Sequence, residues 1–233
     1  MSLRIPKFII FKLQIFVWMS EFLPLINFVK TFSELTDEDE VLIQKYFQKE
    51  TFKKNEIILN AGEICQKIYF VNKGILRTFH TNQNGSEFTR LFAKENEFCT
   101  ILISFSEKVG SPANIQALEN SEVFSIKKSY FQEFISKSEK AKNIYTKILE
   151  DFQNFQIKRI EFLTSLTPQE KVATFLKENP ELEKRLTDKM ISTFLQITPE
   201  TYSRTKNKLF LWIGKKKTNH ISAVHFLDIT IFF

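Results

Sequence analysis

The alternation of apolar and polar positions divides the chain into a helical start, a β-rich middle and a helical end. Thr36 and Asp39 open a helical pattern, the first as an N-cap and the second as an acid in the first turn. Residues 52–126 form short β-like runs separated by the turn signals Ala61-Gly62, Lys73-Gly74 and Asn84-Gly85. The last of these is a strong signal for a hairpin with a two-residue loop. Strands of this length and spacing predict a β-sandwich or a β-roll flanked by helices.

A long helix is predicted from about Glu139 to Leu166. Its apolar positions recur in steps of four and three, with one interruption at Arg159. This spacing favours a two-helix coiled coil, and the alternative is an amphipathic helix that packs on its own domain. In a coiled coil the dimer interface would contain Tyr145, Ile148, Phe152, Phe155 and Phe162. Thr167, Pro168 and Glu170 then predict a capping box at the start of the next helix.

Residues 186–209 (LTDKMISTFLQITPETYSRTKNKL) predict two helices joined by a tight turn. Thr187 and Thr198 are expected to cap them, with the turn at Gln196-Ile197. The apolar positions expected to face inward are Ile191, Phe194, Leu195, Tyr202 and Leu209. The second helix then presents polar side chains at its N-terminal end, which is typical of a DNA-binding helix-turn-helix.

Charge makes this interpretation more specific. The net charge is +6, from 33 basic and 27 acidic residues. Residues 185–217 contain eight basic and two acidic residues, so the remaining 25 basic and 25 acidic residues cancel. A local excess of this kind indicates a polyanion partner, although a solvated basic face would look the same.

The second helix also contains residue types that form hydrogen bonds with DNA bases and phosphates. The candidate DNA-binding residues are Thr198, Glu200, Thr201, Ser203, Arg204, Lys206 and Lys208. An arginine can bond guanine O6 and N7 with both arms of its fork, and a glutamate can accept from cytosine N4. Thr198, Lys206 and Lys208 suit phosphate contacts, and the helix N-terminus reinforces the first of them.

The sequence gives less support to a metalloprotein, a disulfide-rich protein, an enzyme or a membrane-spanning protein. Cys65 and Cys99 lack metal-ligand spacing, so no metal site and no disulfide framework are expected, and a reducing cytoplasm fits. The three histidines have no obvious catalytic companion, so no catalytic residues are assigned and an enzyme is not expected. The apolar ends, residues 4–19 and 221–233, are shorter than the roughly 20 residues that a spanning helix needs. Stable membrane insertion is therefore not expected.

Two segments resemble a known family. ITPETYSRTKNKL resembles the recognition helix of the Crp/Fnr (catabolite activator protein-like) transcription regulators, and AGEICQKIYFVNKGILR resembles their cyclic-nucleotide-binding-like β-roll. The resemblance covers roughly residues 22–212. It puts Glu200, Ser203 and Arg204 on the family's base-reading positions.

The fold that this resemblance implies is α+β. It consists of an N-terminal β-roll with flanking helices, a long dimerisation helix and a C-terminal winged helix-turn-helix. The implied parts are an extension of doubtful status (1–18), a sensor domain (19–138), the dimerisation helix (139–166) and a DNA-binding domain with an apolar tail (167–233). The implied partners are double-stranded DNA, a second copy of the chain and, for an activator, RNA polymerase.

The chain departs from the family pattern at two places. Gln196 stands at a turn position where most relatives have glycine. Thr100-Ile101 and Ser111-Pro112 align with the Gly-Glu and Arg-Ser/Thr pairs by which relatives hold cyclic AMP. Without that arginine a charge-assisted contact to the phosphate is missing, and Lys108 or Arg90 could replace it only if the loop folds differently. Cyclic AMP is therefore not expected to bind in the family's manner, no cofactor is expected and the effector is unknown.

Three hypotheses follow from the sequence. The first is a homodimeric, sequence-specific DNA-binding transcription regulator with a divergent sensor domain. The second is a ligand-sensing or protein-interaction module whose helix-turn-helix is vestigial. The third is a membrane-surface protein that uses the apolar ends and the basic run at residues 214–217.

Overall fold

The computed structural model describes residues 21–218, with side chains as far as residue 211. The helices are α1 (Leu23–Lys30), α2 (Asp37–Tyr46), α3 (Leu102–Glu107), α4 (Lys128–Lys137), α5 (Glu139–Ser165), α6 (Pro168–Glu178), α7 (Pro180–Arg185), α8 (Asp188–Leu195) and α9 (Pro199–Thr218). The strands are β1 (Gln48–Phe52), β2 (Ile57–Leu59), β3 (Lys67–Lys73), β4 (Leu76–Thr81), β5 (Glu87–Ala93), β6 (Phe98–Cys99), β7 (Asn114–Ala117) and β8 (Ser121–Lys127).

The strands form two four-stranded sheets, ordered β1-β8-β3-β6 and β2-β7-β4-β5. Every neighbouring pair is antiparallel. The predicted β-sandwich with flanking helices is therefore confirmed. A hairpin does join β4 to β5 at Asn84-Gly85, but its loop has five residues (82–86) and not the predicted two. The Asn82 N–H donates to the carbonyl of Ser86 (2.9 Å) across this loop.

The core of the first compact unit extends from the sheets to the helices that cover one of them. Phe70 and Phe124 lie opposite each other in β3 and β8, and both are fully buried. The Phe28 ring packs on Phe70 with its centroid 5.2 Å away, and the Phe22 ring lies 4.9 Å from that of Phe124. These four phenylalanines therefore pack together in the core. Edge-to-face and tilted rings of this kind stabilise the core beyond the area they bury.

The chain divides into two compact units between Gln153 and Asn154, inside α5. The sequence places the start of the DNA-binding domain later, at residue 167, where α6 begins with its predicted capping box. There the Glu170 N–H donates to Thr167 Oγ1, and the Glu170 carboxylate accepts from the Thr167 N–H (2.8 Å). The core of the second unit contains Val172, Phe175, Leu182, Ile191, Leu195 and Tyr202.

Several predicted segments lie outside the described residues. They are the extension 1–18 and the apolar tail 221–233, for which the sequence leaves open the strands of a wing or a poorly ordered tail. Helix α9 runs to Thr218, seven residues beyond its predicted end near Leu211. Within residues 21–218, no helix combines the length and the apolar character needed to cross a membrane.

Candidate nucleic-acid interface

The turn between α8 and α9 has the geometry that the sequence predicts. Thr187 caps α8 by accepting from the Met190 N–H (3.3 Å), and Ile191 and Leu195 are fully buried. Gln196 ends the helix in the left-handed region, with φ 53° and ψ 45°. The Ile197 N–H then donates to the carbonyl of Ser192 (3.2 Å). These contacts set the direction in which α9 leaves the turn.

Helix α9 is capped at its start and anchored on one face. Thr198 Oγ1 accepts from the Thr201 N–H (3.1 Å), and Pro199 occupies the first helical position, where its missing N–H costs nothing. Tyr202 is fully buried and Thr205 is 5% exposed. The inward face of α9 is therefore fixed by side chains that follow each other at three-residue spacing.

The outward face of α9 is polar. Glu200, Arg204 and Lys208 are exposed and lie four residues apart, so they form one stripe along the helix. Thr201 and Ser203 beside them are partly exposed. The pKa of Glu200 is lowered because its carboxylate accepts from its own backbone N–H and from Thr198, which keeps it charged at neutral pH. The stripe thus offers an acceptor near the helix start and two cations further along.

Lys206 differs from the other candidate DNA-binding residues. Its Nζ lies 2.9 Å from a carboxylate oxygen of Glu183 in α7 and 3.0 Å from one of Asp188 in α8. Burial alone would lower the pKa of Lys206, but hydrogen bonds to these two acids outweigh it and raise the pKa. The side chain is only 21% exposed. It braces three helices of its own unit.

The predicted dimer seam on α5 is partly engaged within the chain. The ring of Tyr145 packs edge-on against that of Phe131 in α4, at 4.8 Å, and Ile148 and Phe152 line a cavity in the first unit. In the second unit Phe155 and Phe162 are half-buried. None of these five predicted interface residues is fully exposed.

Arg159, the interruption in that seam, lies inside the second unit. Its guanidinium stacks on the Phe194 ring at 3.7 Å and donates to the Phe194 carbonyl near the end of α8. The side chain is 8% exposed, and burial lowers its pKa to about 10. It therefore joins α5 to α8, and the interruption has a structural reason that the seam pattern alone does not give.

The loop that the sequence aligns with the family's phosphate-binding segment runs from Thr100 to Ala113. Ser111 is buried, and its hydroxyl bonds the carbonyl of Ala113. Lys108 is exposed in the left-handed region (φ 58°). Gly110 lies against Gly62, where a Cβ would meet the Gly62 carbonyl oxygen at 2.9 Å. The loop is thus fastened to the turn before β3.

An arginine reaches this loop from another strand. The Arg90 Nη2 in β5 lies 3.5 Å from the carbonyl oxygen of Pro112, and Nε donates to His80 Nδ1 (3.3 Å). Burial first, and then the charge of Arg90, lower the pKa of His80, so that its ring is a neutral acceptor at neutral pH. Sequence alignment places no arginine in the loop itself. The spacing of the strands in the sequence does not predict that Arg90 lies beside Pro112.

Comparison with known proteins gives a consistent picture. Residues 49–138 match the family model of the cyclic nucleotide-binding domain. The chain has a Crp/Fnr-like cyclic-nucleotide-binding fold. A search of the curated proteins finds no match to this sequence.

Three solved structures illustrate the Crp/Fnr-like fold. FixK2 from Bradyrhizobium japonicum is 18% identical with a TM-score of 0.63, over 71% of this chain and 85% of that one. A putative transcriptional regulator of the Crp/Fnr family from Eubacterium rectale is 20% identical (TM-score 0.62; 76% and 84%). The c-di-GMP responsive global regulator CLP of Xanthomonas campestris is 13% identical (0.63; 76% and 92%). The second and third of these neighbours are named as regulators.

Proposed function

We propose that this protein is a homodimeric, sequence-specific DNA-binding transcription regulator in which α9 enters the major groove. The observation that carries the proposal is the exposed stripe of Glu200, Arg204 and Lys208, opposite a face anchored by the buried Tyr202. A helix fixed on one side and polar on the other can dock without rearranging its own core. The fold shared with transcription regulators supports the same function.

In this proposal, different residues of α9 contact the DNA bases and the phosphates. Arg204 bonds a guanine through its fork, and Glu200 accepts from a cytosine amino group. Lys208, Thr201 and the N-cap residue Thr198 bond phosphates, and Ser203 contacts a base beside Arg204. Lys206 contributes indirectly, because its ion pairs hold α9 in position. It was predicted as a phosphate contact, and its paired ammonium favours the bracing role.

For dimerisation, the described packing favours a face of α5 other than the predicted seam. Ile157 is 49% exposed and Ile160 is 62% exposed, whereas Arg159 and the half-buried Phe155 and Phe162 face the other side of the helix. We propose that a second copy covers Ile157 and Ile160. The seam of Tyr145, Ile148, Phe152, Phe155 and Phe162 stays a prediction. A two-fold dimer would present two copies of α9 about 34 Å apart, one DNA turn.

Selection of bound sites from a random duplex library tests the proposal. A dimeric regulator enriches a near-palindromic sequence with half-sites about one helical turn apart. Its affinity falls steeply with salt, since phosphate contacts release counterions. A vestigial helix-turn-helix would enrich nothing above background. A membrane-surface protein would instead bind anionic vesicles and show no sequence preference for DNA.

A further inference from the structure

The first compact unit contains a recessed cavity of about 120 Å³. Its walls are α1, α2, α4, the first half of α5 and the covered sheet, through side chains such as Val29, Ile43, Ile126, Phe134, Ile144 and Ile148. Thr100 and Leu102 of the loop that aligns with the phosphate-binding segment line this cavity, and Ser111 does not. We propose that this cavity binds an uncharged, apolar small molecule.

The size and lining of the cavity define the class of ligand. A single water needs only about 10–15 Å³ and several polar partners, whereas these walls are mostly apolar and their few polar groups bond to each other or to the backbone. A dry cavity of roughly 150 Å³ lined by Leu, Ile and Phe accepts benzene. The present cavity therefore suits a single ring or a medium-length aliphatic chain. Filling it would supply the packing contacts that the wall side chains lack.

The polar groups at the cavity are already paired, which excludes an ionised ligand. Lys140 Nζ bonds the Asp39 carboxylate at 2.9 Å, and the same carboxylate accepts from the N–H (3.0 Å) and hydroxyl (2.9 Å) of Thr36. The Thr100 hydroxyl donates to the Lys67 carbonyl (3.0 Å). Burial would raise the pKa of Asp39, but its hydrogen bonds with Lys140 and Thr36 outweigh it, so the pair stays charged.

Neither charge at the rim is therefore free to receive a ligand ion. A carboxylate or phosphate that bonded Lys140 would lie beside the Asp39 carboxylate, which would repel it, or would have to displace that carboxylate. An amine would have to displace Lys140. An uncharged molecule buries its apolar body and leaves the Asp39–Lys140 pair intact.

The experiment compares octan-1-ol with octanoate, which share a chain and differ in charge. We expect octan-1-ol to raise the Tm of the full-length chain in a saturable manner, because a ligand of the native state stabilises it by mass action. Octanoate at the same concentrations should give no comparable rise. No saturable rise with octan-1-ol, or an equal rise with octanoate, would overturn the proposal.

Substitutions locate the site. Ala141 lines the cavity, so Ala141→Leu should abolish most of the octanol-dependent shift, and Ile148→Phe should do so independently if the first variant folds poorly. Asn143→Leu adds the same apolar group at an exposed position of α5 and should keep the full shift. Equal shifts in all three variants would place the ligand elsewhere and refute the assignment.

The thermal-shift measurement also tests whether residues 1–18, and not a small molecule, occupy the cavity. If the full-length chain gives no shift but a chain lacking residues 1–18 does, that segment blocks the cavity and the proposal of a free small-molecule site is wrong. The binding measurement does not involve DNA. A regulatory effect of the ligand rests on the proposed function, and failure to bind DNA would leave the thermal shift unchanged.

Discussion

Gln196 holds the turn before α9 in the left-handed region (φ 53°), where a side chain with a Cβ is strained. Gln196→Gly removes that strain, so we expect the free energy of unfolding to rise by about 1 kcal/mol. Gln196→Ala keeps the Cβ and should give no gain. Urea unfolding of the full chain measures both variants, and a Gly variant no more stable than the Ala variant would contradict the strain argument.

Gly74 illustrates a stricter requirement at the start of the β3–β4 turn. Its φ is +102°, and a Cβ there would lie 2.8 Å from the backbone Cα of Ser121. Gly74→Ala should therefore destabilise the protein by more than about 1 kcal/mol. Gly85→Ala is the matched control, since Gly85 also has positive φ (+78°) but has open space around it. Equal losses of stability in urea would show that the backbone contact is unimportant.

At the scale of elements, α9 contains two lysines with different roles. Lys206→Ala removes the partner of Glu183 and Asp188, and we expect it to lower the free energy of unfolding by about 1 kcal/mol, a modest value because the site is partly solvated.

Lys208→Ala leaves those ion pairs intact. It should weaken binding to all DNA sequences alike and reduce the salt slope by about one. Urea unfolding and anisotropy titrations at several salt concentrations separate the two effects. If the Lys206 variant instead keeps the stability of the parent and its salt slope falls by one, Lys206 contacts a phosphate as the sequence predicts.

Helix α5 provides a test of the proposed dimer face. Ile160→Glu places a charge on its most exposed isoleucine and should shift the sedimenting species from dimer to monomer, because a buried charge without a partner is costly. Ile103→Glu is the control, since Ile103 is 51% exposed on α3. Dimers that survive Ile160→Glu but dissociate in a Phe155→Glu variant would favour the predicted seam.

Elements with strong local signals are the ones that the sequence predicts well. Thr167, Thr187 and Thr198 all cap helices as expected, because a cap depends on residues within one turn. Strands β1 and β6 were not predicted. The sequence of β1, QKETF, is mostly polar at the edge of its sheet, and β6 has two residues. Neither is long or apolar enough to show a period of two.

Contacts between distant residues are the part of the candidate site that the sequence could not give. The pairing of Lys206 with Glu183 and the stacking of Arg159 on Phe194 each join separate elements. Arg90 was named from the sequence as a replacement for the missing arginine, but its approach to Pro112 was not predicted. A charge or an apolar position is visible in the sequence, but its partner depends on the tertiary fold. The exposed face of α9, by contrast, follows from helical spacing alone.

At the scale of the whole molecule, ligand binding by the first unit and DNA binding by the second are separate proposals. The sequence alignment puts Ser111 at the position of the arginine by which relatives hold cyclic AMP, and the Ser111 hydroxyl donates to the Ala113 carbonyl of its own loop. Cyclic AMP and cyclic GMP should therefore give no saturable rise in Tm. Arg90 could supply the missing contact to the phosphate, because its Nη2 lies 3.5 Å from the carbonyl oxygen of the neighbouring Pro112. A clear rise that is lost in an Arg90→Ala variant would show that the fold recovers the phosphate contact from β5.

The most direct test of the central claim is an anisotropy titration of the selected duplex and of a scrambled duplex, with the parent chain and with Arg204→Ala. The account predicts that the parent binds the selected duplex far more tightly. The variant should lose about 1–3 kcal/mol of that preference while its binding to the scrambled duplex changes little. Equal preference in parent and variant, at unchanged stability, would contradict base reading by α9.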